Sequence, residues 1–142
     1  MHVTPHIVVR GAAEAAAFYA RAFGAEERRR IPVPDGRLMS LELQIGDSTV
    51  MLADEFPEMG VVSPLSLGGS AGVLQIETGD VDALWERALA AGATVLHPLA
   101  DAFWGERHGQ VTDAYGHKWG LAQPVRDVPD EEVVAAAAAL FS

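Results

Sequence analysis

The chain carries one unit twice, and that duplication limits the folds open to it more than any other feature. Residues 18–25 read FYARAFGA, and residues 84–93 read LWERALAAGA. Both set a large apolar pair ahead of Arg, Ala and a further large apolar residue, and both end on Gly-Ala. Further along, GDSTVMLAD (46–54) has a counterpart in GHKWGLAQP (116–124), each with a turn glycine and a later Leu-Ala step. The similarities recur in the same order at a period of about 66–70 residues, which marks a tandem repeat of one supersecondary unit.

The second copy shows what the unit is. GVLQIETG (72–79) reads as a short strand, and Asp80 is placed to cap a helix by accepting from free backbone N–H groups of its first turn. Val81, Leu84, Trp85, Ala88 and Leu89 recur at helical spacing, with Asp82, Glu86 and Arg87 off that stripe. Gly92 suits the left-handed position beyond a helix end. ATVLHP, HGQVTD and HKWGLAQ follow as strands. The first copy runs in the same order: HIVVRG, the helix AAEAAAFYARAF ended by Gly24, then EERRRIPV, RLMSLELQI and STVMLAD. The expected class is α+β, with two tandem βαβββ modules at residues 1–56 and 72–125. A Pro/Gly/Ser-rich connector (57–71) joins them, and residues 126–142 hold a C-terminal helix with an acidic first turn.

Composition narrows the function. A net charge of −10 argues against nucleic acid, where a basic stripe is expected, and could help attract a cationic ligand. The one basic run, Arg28-Arg29-Arg30, sits beside Glu26 and Glu27 and reads as a solvated strand. No apolar run is long enough to span a bilayer, and no secretion signal is visible at the N-terminus, so a cytoplasmic location is expected. With no cysteine there is no disulfide, thiolate site or thiol nucleophile. Neither a P-loop nor a GxSxG elbow is present.

The repeat, with HIVVRGAAEAAAFYARAFGAEE at its front and DAYGHKWGLA at its back, resembles the vicinal oxygen chelate superfamily. This is the glyoxalase, bleomycin-resistance and ring-cleaving dioxygenase group, and the closer likeness is to its PhnB-like branch. The resemblance is carried by residues 4–27, 34–55, 81–98 and 103–122. It implies that each module curls its strands into a half-barrel with the helix outside, and that a ligand sits in the concave face. It further implies a homodimer. In metal-using relatives, side chains on the first and last strands of each module hold a divalent ion that polarises substrate oxygens. Carried onto this chain, those positions fall on His6, near Leu52 (or Asp54 with a slipped register), on Val73 and on Gly120. Only His6 is a plausible ligand, whereas a catalytic ion normally needs about three. No metal or other cofactor is expected.

Strand alternation then assigns the concave face. Leu41, Leu43 and Ile45 belong under the helices, which leaves Ser40, Glu42 and Gln44 inside. Leu74 and Ile76 likewise leave Val73, Gln75 and Glu77; Trp119 and Leu121 leave Lys118 and Gly120; His6 and Val8 share the surface. Glu42 reads either as a proton carrier, its pKa raised by desolvation, or as a solvated or Arg-paired glutamate. Gln44 and Gln75 would orient a ligand, and Lys118 would bind an anionic group or pair with a glutamate.

The densest run of aromatic, His and Gly residues is FWGERHGQVTDAYGHKWGLAQP (103–124). In it Trp119, Tyr115, Gly116 and His117 read as architecture, and Asp113 as a turn stabiliser. Trp104 and Arg107 read either as a stacking surface with a charged clamp or as an apolar plug held by an ion pair. Two functions are expected to compete. One is a metal-independent small-molecule-binding protein that sequesters a drug or metabolite. The other is a lyase or isomerase with Glu42 or His6 as proton carrier, with or without a divalent metal.

Overall fold

The structure is a computed structural model that describes residues 1–142. Module 1 contains β1 (His6–Val9), α1 (Ala12–Phe23), β2 (Glu26–Pro32), β3 (Leu38–Ile45) and β4 (Ser48–Asp54). Pro57–Met59 forms a single 3₁₀ turn, and α2 (Pro64–Leu67) completes the link to module 2. Module 2 contains β5 (Val73–Glu77), α3 (Val81–Ala91), β6 (Thr94–Asp101), β7 (Glu106–Thr112) and β8 (Lys118–Pro124). The chain ends in α4 (Asp130–Leu140). No helix is long and apolar enough to cross a membrane.

Each module forms its own open four-stranded sheet, ordered β1-β4-β3-β2 and β5-β8-β7-β6. The first and last strands of each module pair in parallel, and the remaining pairs are antiparallel. The helix makes this possible, because parallel neighbours need a long crossover between them. Gly24 and Gly92 both take left-handed backbone (φ 70° and 115°) and return N–H groups to the last turns of α1 and α3. Asp80 accepts from the Ala83 N–H at 3.2 Å, as its cap position requires.

The helices start from matching anchors. In module 1 the Asp54 carboxylate accepts from the Ala12 N–H at 2.7 Å; in module 2 the Gln123 side chain accepts from the Val81 N–H at 3.0 Å. Both bonds join the end of the last strand to the start of the helix over the same separation, 42 residues. They therefore fix which residues of the two modules correspond.

The core lies between the sheets and the two helices and is a single cluster. Leu41, Leu43, Leu52, Val111, Trp119 and Leu121 face into it from the strands. Trp119 of module 2 reaches under α1 of module 1, with its ring centroid 5.2 Å from Tyr19 and 4.8 Å from Phe23. The burial is uneven. Seven residues of α1 are buried, against only Val81 and Ala88 of α3, while Leu84, Trp85 and Leu89 pack half-covered against the cluster.

Candidate functional site

Alternation turns one face of each sheet under the helices and leaves the other as a hollow. The strand register aligns the hollow-facing residues in rows. In module 1, His6 lies beside Met51, Met51 beside Glu42, and Glu42 beside Arg29. The corresponding row of module 2 is Gln75, Gly120, Gln110 and His97. One step away lie Glu77, Ala122, His108 and Ala100; on the other side lie Val73, Lys118, Thr112 and Thr94.

Several expected residues therefore share these faces: His6 and Glu42 in module 1, Gln75 and Lys118 in module 2. His6 and Glu42 are separated by one intervening strand, so their backbones are about 10 Å apart, two strand spacings. Each can meet a ligand lying over Met51, but neither reaches the other directly.

Other expectations need correction. Leu52 is not the partner of His6: it is buried in the core, pairs with Ile7 and Leu41, and Met51 takes the hollow position. Asp54 is committed to the α1 anchor and to the Leu38 N–H at 2.6 Å. The counterpart of His6 is Gln75, two residues beyond Val73. Gln44 faces the hollow, but its amide donates to the Gly46 carbonyl at 2.9 Å and so supports the β3–β4 turn. Arg107 lies on the opposite side of β7 from His108, where it pairs with Asp82 of α3 at 3.0 Å and Asp101 at 3.3 Å. It holds α3 to the sheet and does not join the hollow set. Trp104 does reach the hollow's end. Its indole Nε1 donates to Glu106 at 2.6 Å, and its ring stands edge-on to His108 with centroids 5.5 Å apart.

The sequence reading missed Arg29, Met51, Gln110, His97 and His108 on the hollow faces. A register shift between Glu27 and Arg29 turns Arg29 alongside Glu42, although the two form no ion pair. Nothing in a run of three arginines announces that bulge. Strand alternation applied to HGQV would have found His108 and Gln110.

A cavity of about 1020 Å³ lies to one side of these rows. It follows the free edge of β5 and is closed opposite by His2–Pro5 and the β3–β4 turn. Of the expected concave-face residues Val73, Gln75 and Glu77 line it, and Phe23, Leu74, Ile76 and Trp119 give it an apolar side. Edge strands with unpaired backbone groups invite cover by other chain. The cleft thus runs along the outer edge of the module 2 hollow, whose β5 residues line it, and does not reach His6, Glu42 or Lys118.

The four positions that hold the ion in metal-using relatives correspond here to His6, Met51, Gln75 and Gly120. That donor set does not fit a hard divalent ion, since it offers one imidazole, a thioether, a neutral amide and no side chain. No group of three or more His, Asp or Glu side chains converges anywhere in the chain.

Comparisons with known proteins agree with the fold. A family model described as the Glyoxalase/Bleomycin resistance protein/Dioxygenase superfamily matches residues 1–121. A protein of Mycobacterium bovis described as uncharacterized is 47% identical over 137 residues, covering 94% of this chain and 90% of that protein. Among solved structures, TioX from Micromonospora sp. ML1 matches with a TM-score of 0.68 and 26% identity, over 88% of this chain and 99% of that one. TnmS3, an antibiotic binding protein from Streptomyces sp. CB03234, matches with a TM-score of 0.65 and 27% identity, over 87% and 96%.

Proposed function

We propose, for a chain that belongs to the glyoxalase/bleomycin resistance protein/dioxygenase superfamily, the binding and sequestration of a small molecule in the sheet hollows without a metal centre. One observation carries this reading. The hollow faces present His6, Glu42, Gln75, Gln110, His108 and Lys118, while the hydrogen bonds that hold the fold run through Asp54, Asp80, Asp113 and Gln123. Polar side chains left free on a concave surface are what a ligand needs for orientation. The likeness to an antibiotic binding protein supports a drug-sized guest, and the net charge of −10 favours a cationic one.

Isothermal titration against a panel that includes bleomycin-type cationic glycopeptides tests the proposal. Saturable binding is expected, and silence across the panel would end this reading. Elemental analysis of the purified protein tests the metal clause: a stoichiometric divalent ion in each chain would overturn it.

The protein acts as a homodimer in this proposal, located in the cytoplasm. The free edge of β5, with Val73 44% exposed, supports a second copy as its cover. Light scattering on a sizing column should give twice the 15.1 kDa chain mass.

A second reading is favoured by the row that places His6 and Glu42 on either side of Met51, both free to exchange protons with a guest. In a lyase or isomerase, one would carry the proton. Turnover abolished by Glu42→Gln, with binding retained, would select this alternative.

A further inference from the structure

The two hollows differ at their centres. In module 1 the position beside His6 is filled by Met51; in module 2 the corresponding position is Gly120. A methyl carbon built on Gly120 would stand 3.3 Å from Gln75 Oε1 and 3.4 Å from His108 Nε2. The two side chains therefore lean over the glycine from β5 and β7 and take the space that any side chain at this position would claim. Both polar atoms lie so near one point that a single hydrogen-bonding group can bridge them. The bonds that tie module 2 together use Asp80, Asp113, Gln123 and Arg107 and leave Gln75 and His108 free. Next along β8, Ala122 is fully buried, so the strand itself is covered and a guest meets the side chains that lean over it. Trp104 closes the far end, 40% exposed, its ring held in place by the bond to Glu106.

We propose that Gln75 and His108, leaning together over Gly120, form a polar pair that takes a hydroxyl or amide group carried on a flat ring, with Trp104 as its aromatic wall. The inference rests on the hollow-binding reading above and assigns the polar end of the guest to module 2. The chemistry follows from the two free atoms. Gln75 Oε1 only accepts, whereas His108 Nε2 donates in one tautomer. A hydroxyl or an amide edge supplies one donor and one acceptor and satisfies both. A carboxylate or phosphate has no donor for Gln75 Oε1 and would also face Glu77, in the same row as His108, and Glu106 beside Trp104. A flat ring gains contact with the exposed indole of Trp104.

The test compares naphthol with methoxynaphthalene, which keeps the ring and loses the donor, by tryptophan-fluorescence quenching. The proteins are the intact chain and the variants Gly120→Ala, His108→Ala and Gln75→Ala, each checked for its fold by circular dichroism. The intact protein should prefer naphthol by roughly 3- to 10-fold, the value of one net hydrogen bond, and each variant should erase that preference. Gly120→Ala presses only on the mobile ends of two side chains, and His108→Ala and Gln75→Ala carry the test if it does not fold. Naphthol binding with a preference that survives these variants overturns the polar pair and leaves the hollow-binding reading standing. Failure of naphthol and of the drug panel alike overturns both.

Discussion

Asp113 holds the two modules together through one carboxylate. Its Oδ1 accepts from the Tyr115 and His117 N–H groups at 2.8 and 3.0 Å; its Oδ2 accepts from the Trp119 indole at 2.9 Å and from the Tyr19 hydroxyl. It is only 6% exposed, so its removal strands buried donors. Asp113→Ala should cost about 3 kcal/mol in urea denaturation, since each unsatisfied buried donor costs about 1–3 kcal/mol. Burial, then the charge and hydrogen bond of Asp113, push the Tyr19 phenol far above its ordinary value. The folded state thus favours the neutral phenol. Its contribution is complete below the unfolded value, near 10, and is lost as the pH rises beyond it. A urea-midpoint profile of Tyr19→Phe should show a flatter alkaline limb than the parent. Glu55 acts in the opposite sense. Bonds from the Ser66 hydroxyl, the Ser63 N–H and Arg10 bring its carboxyl down to about 2. Its contribution is present above 4.5 and disappears as the pH falls from there toward about 2, so Glu55→Gln should lose less stability across that acid window. The sequence made half of Asp113 legible. The turn bonds are local, whereas the bond to Tyr19 spans 94 residues.

At the scale of elements, the strands and helices follow from local pattern, but their lateral fit does not. The alternation in SLELQIG put Leu41, Leu43 and Ile45 under the helices, and the structure buries all three. Lateral fit is set by small residues and bulges instead. A methyl carbon built on Gly109 of β7 would stand 2.6 Å from the Trp85 ring and 3.0 Å from the Leu99 Cα. Gly109 is what lets α3 and β6 lie this close to β7. Gly109→Ala should therefore destabilise the protein by about 1–3 kcal/mol, the usual cost of overpacking, and a thermal melt will show whether it does. The β2 bulge acts in the same way: the run EERRRIP reads as a strand, yet its register shift decides that Arg29 faces Glu42.

For the whole molecule, the modules are copies in sequence but not independent bodies. Trp119 packs beneath α1, the His117 ring bonds the Val8 carbonyl at 2.8 Å, and Arg87 of α3 donates to the Arg21 carbonyl at the end of α1 at 2.6 Å. Unfolding should be one cooperative transition, with coincident curves by far-ultraviolet circular dichroism and tryptophan fluorescence. Two separated transitions would show that the halves stand alone.

The sequence by itself determined the order of the main strands and helices, the duplication and the faces of the regularly alternating strands, because these depend on periods of a few residues and on local turn chemistry. Only the tertiary structure decided which hollow-facing residues become neighbours. It set Met51 rather than Leu52 beside His6, brought Gln75 and His108 together over Gly120, and turned Arg107 to Asp82. The reason is physical: strand register and helix docking are fixed by packing between segments far apart in the chain, and no short-range pattern records them.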